Sequence, residues 1–187
     1  VVLIVLALLA MNGCSTYNAF VSKEVEVEKS WGQVQSAYQR RADLIPNLVN
    51  TVKGVANFEQ ETLTKVVEAR AKATQMTIDP TKATPEQLKE FQSAQGELSQ
   101  ALGKLLVITE NYPELKANQS FLELQSQLEG TENRIKVDRD KFNEAVADYN
   151  VSVRKFPASF YASIFGFSTK PQFEAEAGAQ DAPKVEF

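Results

Sequence analysis

The sequence predicts an all-α fold: an antiparallel up-and-down four-helix bundle with two long helices and two shorter ones. Long stretches lack both glycine and proline, of which the 187 residues hold only 8 and 7, so the chain has few of the turn signals that a β protein needs. Apolar residues recur at spacings that alternate between four and three, the seam of a helix packed on other helices. Short breaks separate four such stripes, and short connections make neighbouring helices antiparallel. With 43% hydrophobic and 24% charged residues, a single domain with its own core is expected.

The chain opens on VVLIVLALLAM, Val1 to Met11, followed by Asn12, Gly13, Cys14 and Ser15. That run is shorter than the about 20 residues of a lone spanning helix and has the length of the apolar centre of a secretory signal. A small residue directly before cysteine resembles the lipobox of bacterial lipoproteins, where the thiol receives diacylglycerol, so Cys14 is the lipidation candidate. Met11 and Asn12 depart from the usual residues of that motif, and a single-pass anchor continuing upstream is the alternative. Residues 1–14 are therefore read as signal peptide and lipobox or as membrane anchor, 15–167 as the helical bundle domain, and 168–187 as an extended C-terminal tail.

The first stripe is Val27, Trp31, Val34, Tyr38, Arg41, Ile45, Leu48, Val52 and Val55. Proline removes a backbone donor and crowds the preceding turn, yet the phase does not slip at Pro46, which predicts one long helix kinked there. Asn57 with Gln60 is the expected cap of a second helix whose stripe is Leu63, Val66, Val67, the stem of Arg70 and Ala73. The break TIDPTKATP follows, and Thr84, Pro85 and Gln87 spell the start of a third helix. Its stripe is Leu88, Phe91, Leu98, Leu102, Leu105 and Tyr112, thinned by Gln95 and Gly96. Asn118 then caps a fourth helix with Phe121, Leu124, Leu128, Thr131, Ile135, Asp138, Phe142, Ala145, Tyr149 and Phe156 on its inner face.

The outer two helices, roughly 55 to 60 Å each, outrun the inner pair, which implies a four-helix head on a two-helix stalk. FPASFYASIFGF, Phe156 to Phe167, falls at the stalk base. It is read as a cap over that thin end; as an interfacial anchor or partner surface it would present Phe160, Phe165 and Phe167. In the terminal PKVEF, Val185 and Phe187 alternate, so this end could dock as a strand on its own bundle or on a partner.

Arg41 and Asp138 both fall on seams, and an inward charge without a partner costs several kcal/mol. Across the antiparallel pair Arg41 faces roughly residues 130 to 133, where Glu132, ahead of Glu129, is the expected partner in a structural ion pair. A small-anion site around Arg41 is the alternative, and Arg40 is expected in solvent. The chain has no histidine, which removes histidine-based nucleophile pairs, imidazole acid–base chemistry and most zinc or di-iron sites. A net charge of −4 without a basic cluster argues against nucleic acid as a partner. No catalytic residue, metal or cofactor is expected.

YNAFV, YQRRADLIPNLVNTVKG, VVEARAKA, NYPELKANQSFLELQSQLEGTENRI, FNEAVADYN, FPASFYASIFGF and PKVEF together resemble the LemA family of bacterial membrane-associated proteins. The resemblance runs over nearly the whole chain after Cys14 and implies an N-terminal membrane anchor, an antiparallel helical bundle and no established enzymatic activity. The expectation is a membrane-anchored, non-enzymatic scaffold or interaction module at the bacterial cell envelope, with an unknown protein partner.

Overall fold

Helix α1 (Val2–Lys53) is a single helix of 52 residues in the computed structural model, which describes residues 2–55 and 58–174. It runs through Gly13, Cys14 and Pro46 without interruption. A proline at 46 has no N–H to offer the carbonyl four residues earlier, that of Ala42. The second helix supplies the missing donor: Arg70 Nε bonds Ala42 O at 2.8 Å. The ring of Pro46 itself is exposed, so it crowds no neighbouring helix.

The remaining elements are α2 (Gln60–Gln75), α3 (Pro85–Thr109), the single turn α4 (Pro113–Lys116), α5 (Gln119–Arg154) and α6 (Ala158–Phe165), and no strand occurs among the described residues. α3 starts with a full capping box, in which Thr84 Oγ1 accepts from Gln87 N at 3.2 Å and Gln87 Oε1 accepts from Thr84 N at 3.0 Å. Asn118 Oδ1 caps α5 by accepting from Phe121 N at 3.1 Å. The predicted cap Asn57 lies outside the described residues; α2 begins after Glu59, whose side chain makes no capping bond. α6 stops at Gly166, whose φ of 79° suits a residue without Cβ.

Three positions differ from the sequence expectation. Val67, assigned to the second stripe, is 47% exposed, because the buried side of α2 is held by Leu63, Val66 and Ala73. Tyr112, assigned to the third stripe, follows the end of α3 and packs its ring on Phe58 with centroids 4.9 Å apart. Phe156, assigned to the inner face of the fourth helix, is 90% exposed. Pro157 disfavours helical geometry in the residue before it, so α5 ends at Arg154 and the stripe loses its phase there.

Lys23, Trp31 and Arg41 of α1 meet Asp148, Phe142 and Glu132 of α5, so this pair runs antiparallel in constant register. The apolar interior falls into two clusters. The upper is built on Ile45, Leu48 and Val52 of α1 with residues of α2, α3, α4 and α5. The lower is built on Phe20, Trp31 and Tyr38 of α1 with α5, the start of α3, and Phe173. Arg41 lies between them in sequence and in space.

The non-helical stretch 168–174 closes the lower cluster. Asn150 bonds both backbone groups of Lys170, each at 2.8 Å, and Asn143 bonds those of Phe173 at 2.8 and 3.1 Å. Seven helical residues advance about 10.5 Å, close to the roughly 10 Å of three extended residues, so two asparagines two turns apart match the strap they hold. Phe173 stacks on Trp31 at 5.9 Å. Lys170 Nζ reaches Glu24 at 2.7 Å and the carbonyl of Thr81 at 3.0 Å, tying α1 to the connection between α2 and α3.

If Arg70 substitutes for the donor that Pro46 lacks, the two residues must be energetically coupled. Arg70→Met should cost about 1–3 kcal/mol with proline at 46 and much less after Pro46→Ala, whose own N–H can serve Ala42. Urea denaturation of the two singles and the double measures this; equal costs in both backgrounds would show that the Arg70 bond is unrelated to the proline.

Candidate functional site

Arg41 is 1% exposed. Nη1 donates to Ser99 Oγ at 2.6 Å and to the carboxylate of Glu132; Nη2 donates to Gln95 Oε1 at 2.7 Å and to the Gln95 carbonyl at 3.2 Å. Ser99 Oγ in turn donates to Glu132 Oε1 at 3.2 Å, and Gln95 Nε2 donates to Ala73 O of α2 at 3.2 Å. One guanidinium thus joins α1, α3 and α5 directly and α2 through Gln95. The Glu132 side chain stays 43% exposed, so the carboxylate keeps part of its hydration and loses less on pairing than a fully buried one would.

The sequence marks Gln95 only as a gap in the third stripe and gives Ser99 no role. Their signal is a pair of polar residues four apart, one turn on the same face of a helix, next to an inward arginine elsewhere in the chain. The second seam charge, Asp138, is also 1% exposed. Its Oδ2 accepts from Arg134 Nε at 2.7 Å, and its Oδ1 has no donor among the described residues. Nε of Arg41 likewise finds no acceptor there. Arg40 is exposed.

The other predicted residues gather where α1 and α6 cross. Cys14 is exposed on α1. Gly13 beside it is buried, and a Cβ there would stand 3.1 Å from Tyr161 Cε1, closer than ordinary contact, so a larger residue would push the Tyr161 ring of α6 back by a few tenths of an ångström. Tyr17 meets Phe165 at 5.2 Å and Phe167 at 5.5 Å; Phe20 meets Phe167 at 5.1 Å. Phe167 therefore packs inward as part of a cap. Phe160 and Phe165 are exposed, together with Phe156 and Ile164 of the same segment and Val2, Leu3, Ile4 and Met11 of α1. Val185 and Phe187 lie outside the described residues. Among the described residues no helix is long and apolar enough to cross a membrane, and no group of acidic or cysteine side chains could hold a metal ion.

Between these two regions Tyr149 is buried under the ammonium of Lys170, 4.8 Å from its ring centre. Burial, and after it the negative charge of Glu24, push its phenol from the ordinary 10.0 up to about 12.

The architecture is that of an all-helical protein organised around a buried arginine layer, with an aromatic, apolar end. The sequence profile of the LemA family matches residues 30–187, and the chain belongs to that family. Among curated proteins it is similar to magnetosome protein MamQ of Magnetospirillum gryphiswaldense, with 28% identity over 186 residues that cover 90% of this chain and 68% of that protein. Magnetosome protein MamQ 2 of Paramagnetospirillum magneticum is 27% identical over the same shares of the two chains. Protein LemA of Metamycoplasma hominis is 25% identical over 144 residues, 77% of this chain and 59% of that protein.

Two measurements check these electrostatics. Arg41→Met and Glu132→Leu should each destabilise by about 1–3 kcal/mol, while the double variant loses less than their sum, with a coupling of about 1 kcal/mol or more; additive losses would dismiss the pair as a register lock. Tyr149 holds its proton more tightly folded than unfolded, so its contribution is complete below pH 10 and disappears as pH rises from 10.0 to about 12. In denaturation at several pH values, Tyr149→Phe should show a shallower fall across that window than the parent protein.

Proposed function

We propose that the protein is a membrane-tethered, non-enzymatic scaffold of the bacterial cell envelope. In this reading α1, α2, α3 and α5 stand as an antiparallel up-and-down bundle on a tether formed by residues 1–14. The observation that carries it is the first part of α1: Val2, Leu3, Ile4 and Met11 are exposed apolar side chains on a helix continuous with the core. Large apolar side chains exposed in this way are unfavourable in water and mark a contact with lipid or with another chain. The seam around Arg41 supports a structural role over an anion site, because both terminal nitrogens of the guanidinium bond the chain's own oxygens. The relatives' names, magnetosome protein MamQ and protein LemA, name no reaction.

A lipidated Cys14 makes the tether a lipoprotein; an unmodified one makes it a single-pass anchor with upstream residues. Intact-mass analysis of the membrane fraction separates these two forms. The lipoprotein form predicts a diacylglyceryl mass on Cys14 and release of Cys14→Ser from the acylated membrane pool. Recovery of the unmodified protein wholly outside membranes would reject the tether.

A further inference from the structure

We propose that the outer face of α6, carried by Phe160 and Ile164, together with Phe156 in the turn before it, inserts into the headgroup boundary of a phospholipid bilayer and forms a second membrane contact beside the N-terminal tether. This rests on the tether reading above and adds to it a surface of the folded domain itself.

Phe160 and Ile164 are four residues apart on α6, so they line one face, and they are 64% and 60% exposed; Phe156, 90% exposed, stands in the turn just before the helix. The opposite face of α6 is occupied, with Ala162 buried and Tyr161 against Gly13 of α1. No charged residue lies between Lys155 and Lys170, and Arg154 and Lys155, both exposed, stand at the entrance to the segment. An aromatic, uncharged face flanked by two cations has the chemistry of the bilayer interface, where rings sit at headgroup depth and basic side chains reach phosphates.

Position selects this occupant over a protein partner. α6 crosses α1 at Gly13 and Tyr17, within about one turn of Cys14. If Cys14 carries the lipid, its acyl chains enter the bilayer at that height. If the apolar run belongs to a spanning anchor, the bilayer begins just upstream of Gly13, at nearly the same height. Both forms of the tether therefore bring lipid headgroups to the level of α6. The two remaining ends of the aromatic surface, at Phe165 and Phe167, pack on Tyr17 and Phe20, which holds the exposed face in place.

The test uses the membrane-isolated protein, N-terminus included, reconstituted in vesicles of phosphatidylcholine and phosphatidylglycerol. Tryptophan is placed at the face by Phe160→Trp and, in a second variant, Ile164→Trp. Val107→Trp, at an exposed site of α3 on the part of that helix that builds the upper cluster, is the control, and buried Trp31 is a background common to all three. Lipids brominated near the headgroup end should extinguish most of the added emission at 160 and 164 and none at 107, whereas aqueous iodide should do the reverse. A protein that floats with the vesicles while residues 160 and 164 remain open to iodide overturns this inference and leaves the tether standing. Protection of both sites from iodide and from bromine alike would assign the face to a second copy or another protein, and also overturns it. Failure to float at all removes the tether and this contact together.

Discussion

A buried guanidinium tolerates no misalignment. Stripping water from such a group costs several kcal/mol unless donors and opposite charge are met together, and Arg41 meets them only when Ser99 and Gln95 of α3 and Glu132 of α5 stand at its height. One residue further along, the carbonyl left open by Pro46 takes Arg70 of α2. The apolar clusters above and below could accept a helix shifted by a heptad, because a heptad seam resembles itself after each repeat. The polar layer could not. Residues 41 and 42 thus decide the axial position of every long helix against α1.

With those heights set, the lower half of the molecule becomes a problem of cover. Below the start of α3 only α1 and α5 continue as long helices, and two helices cannot enclose a core. The chain answers with three local devices: the connection between α2 and α3, whose Ile78 carbonyl accepts from Trp31 Nε1 at 3.2 Å; α6; and the strap clipped by Asn143 and Asn150. Lys170 connects two of them by bonding both Glu24 and Thr81.

The parts of this arrangement legible in the sequence are the periodic ones. The apolar phase through Pro46 points to one helix, and α1 is one helix; the capping box at Thr84 and the Asn118 cap are local patterns with local meaning. Arg41 on a seam calls for a carboxylate at a countable distance along an antiparallel partner, and its Nη1 bonds Glu132. The role of Gln95 is not legible there, because one amide in an apolar stripe looks like a gap until the group it serves is known. Phe156 was misplaced because periodicity was extended to the very edge of a proline. The docking of Phe173 and Lys170 leaves no repeat at all: residues 168–174 are not helical, and their partners lie on α1, α5 and a loop.

The unbroken course of α1 has a mechanical meaning. At 1.5 Å per residue its 52 residues measure about 78 Å, one helix from the apolar start to the top of the upper cluster. A rod of that length acts as a lever: a tilt of about 10° imposed at its foot would sweep its tip through about 14 Å. Whatever orients the first turns of α1 therefore aims the far end of the molecule.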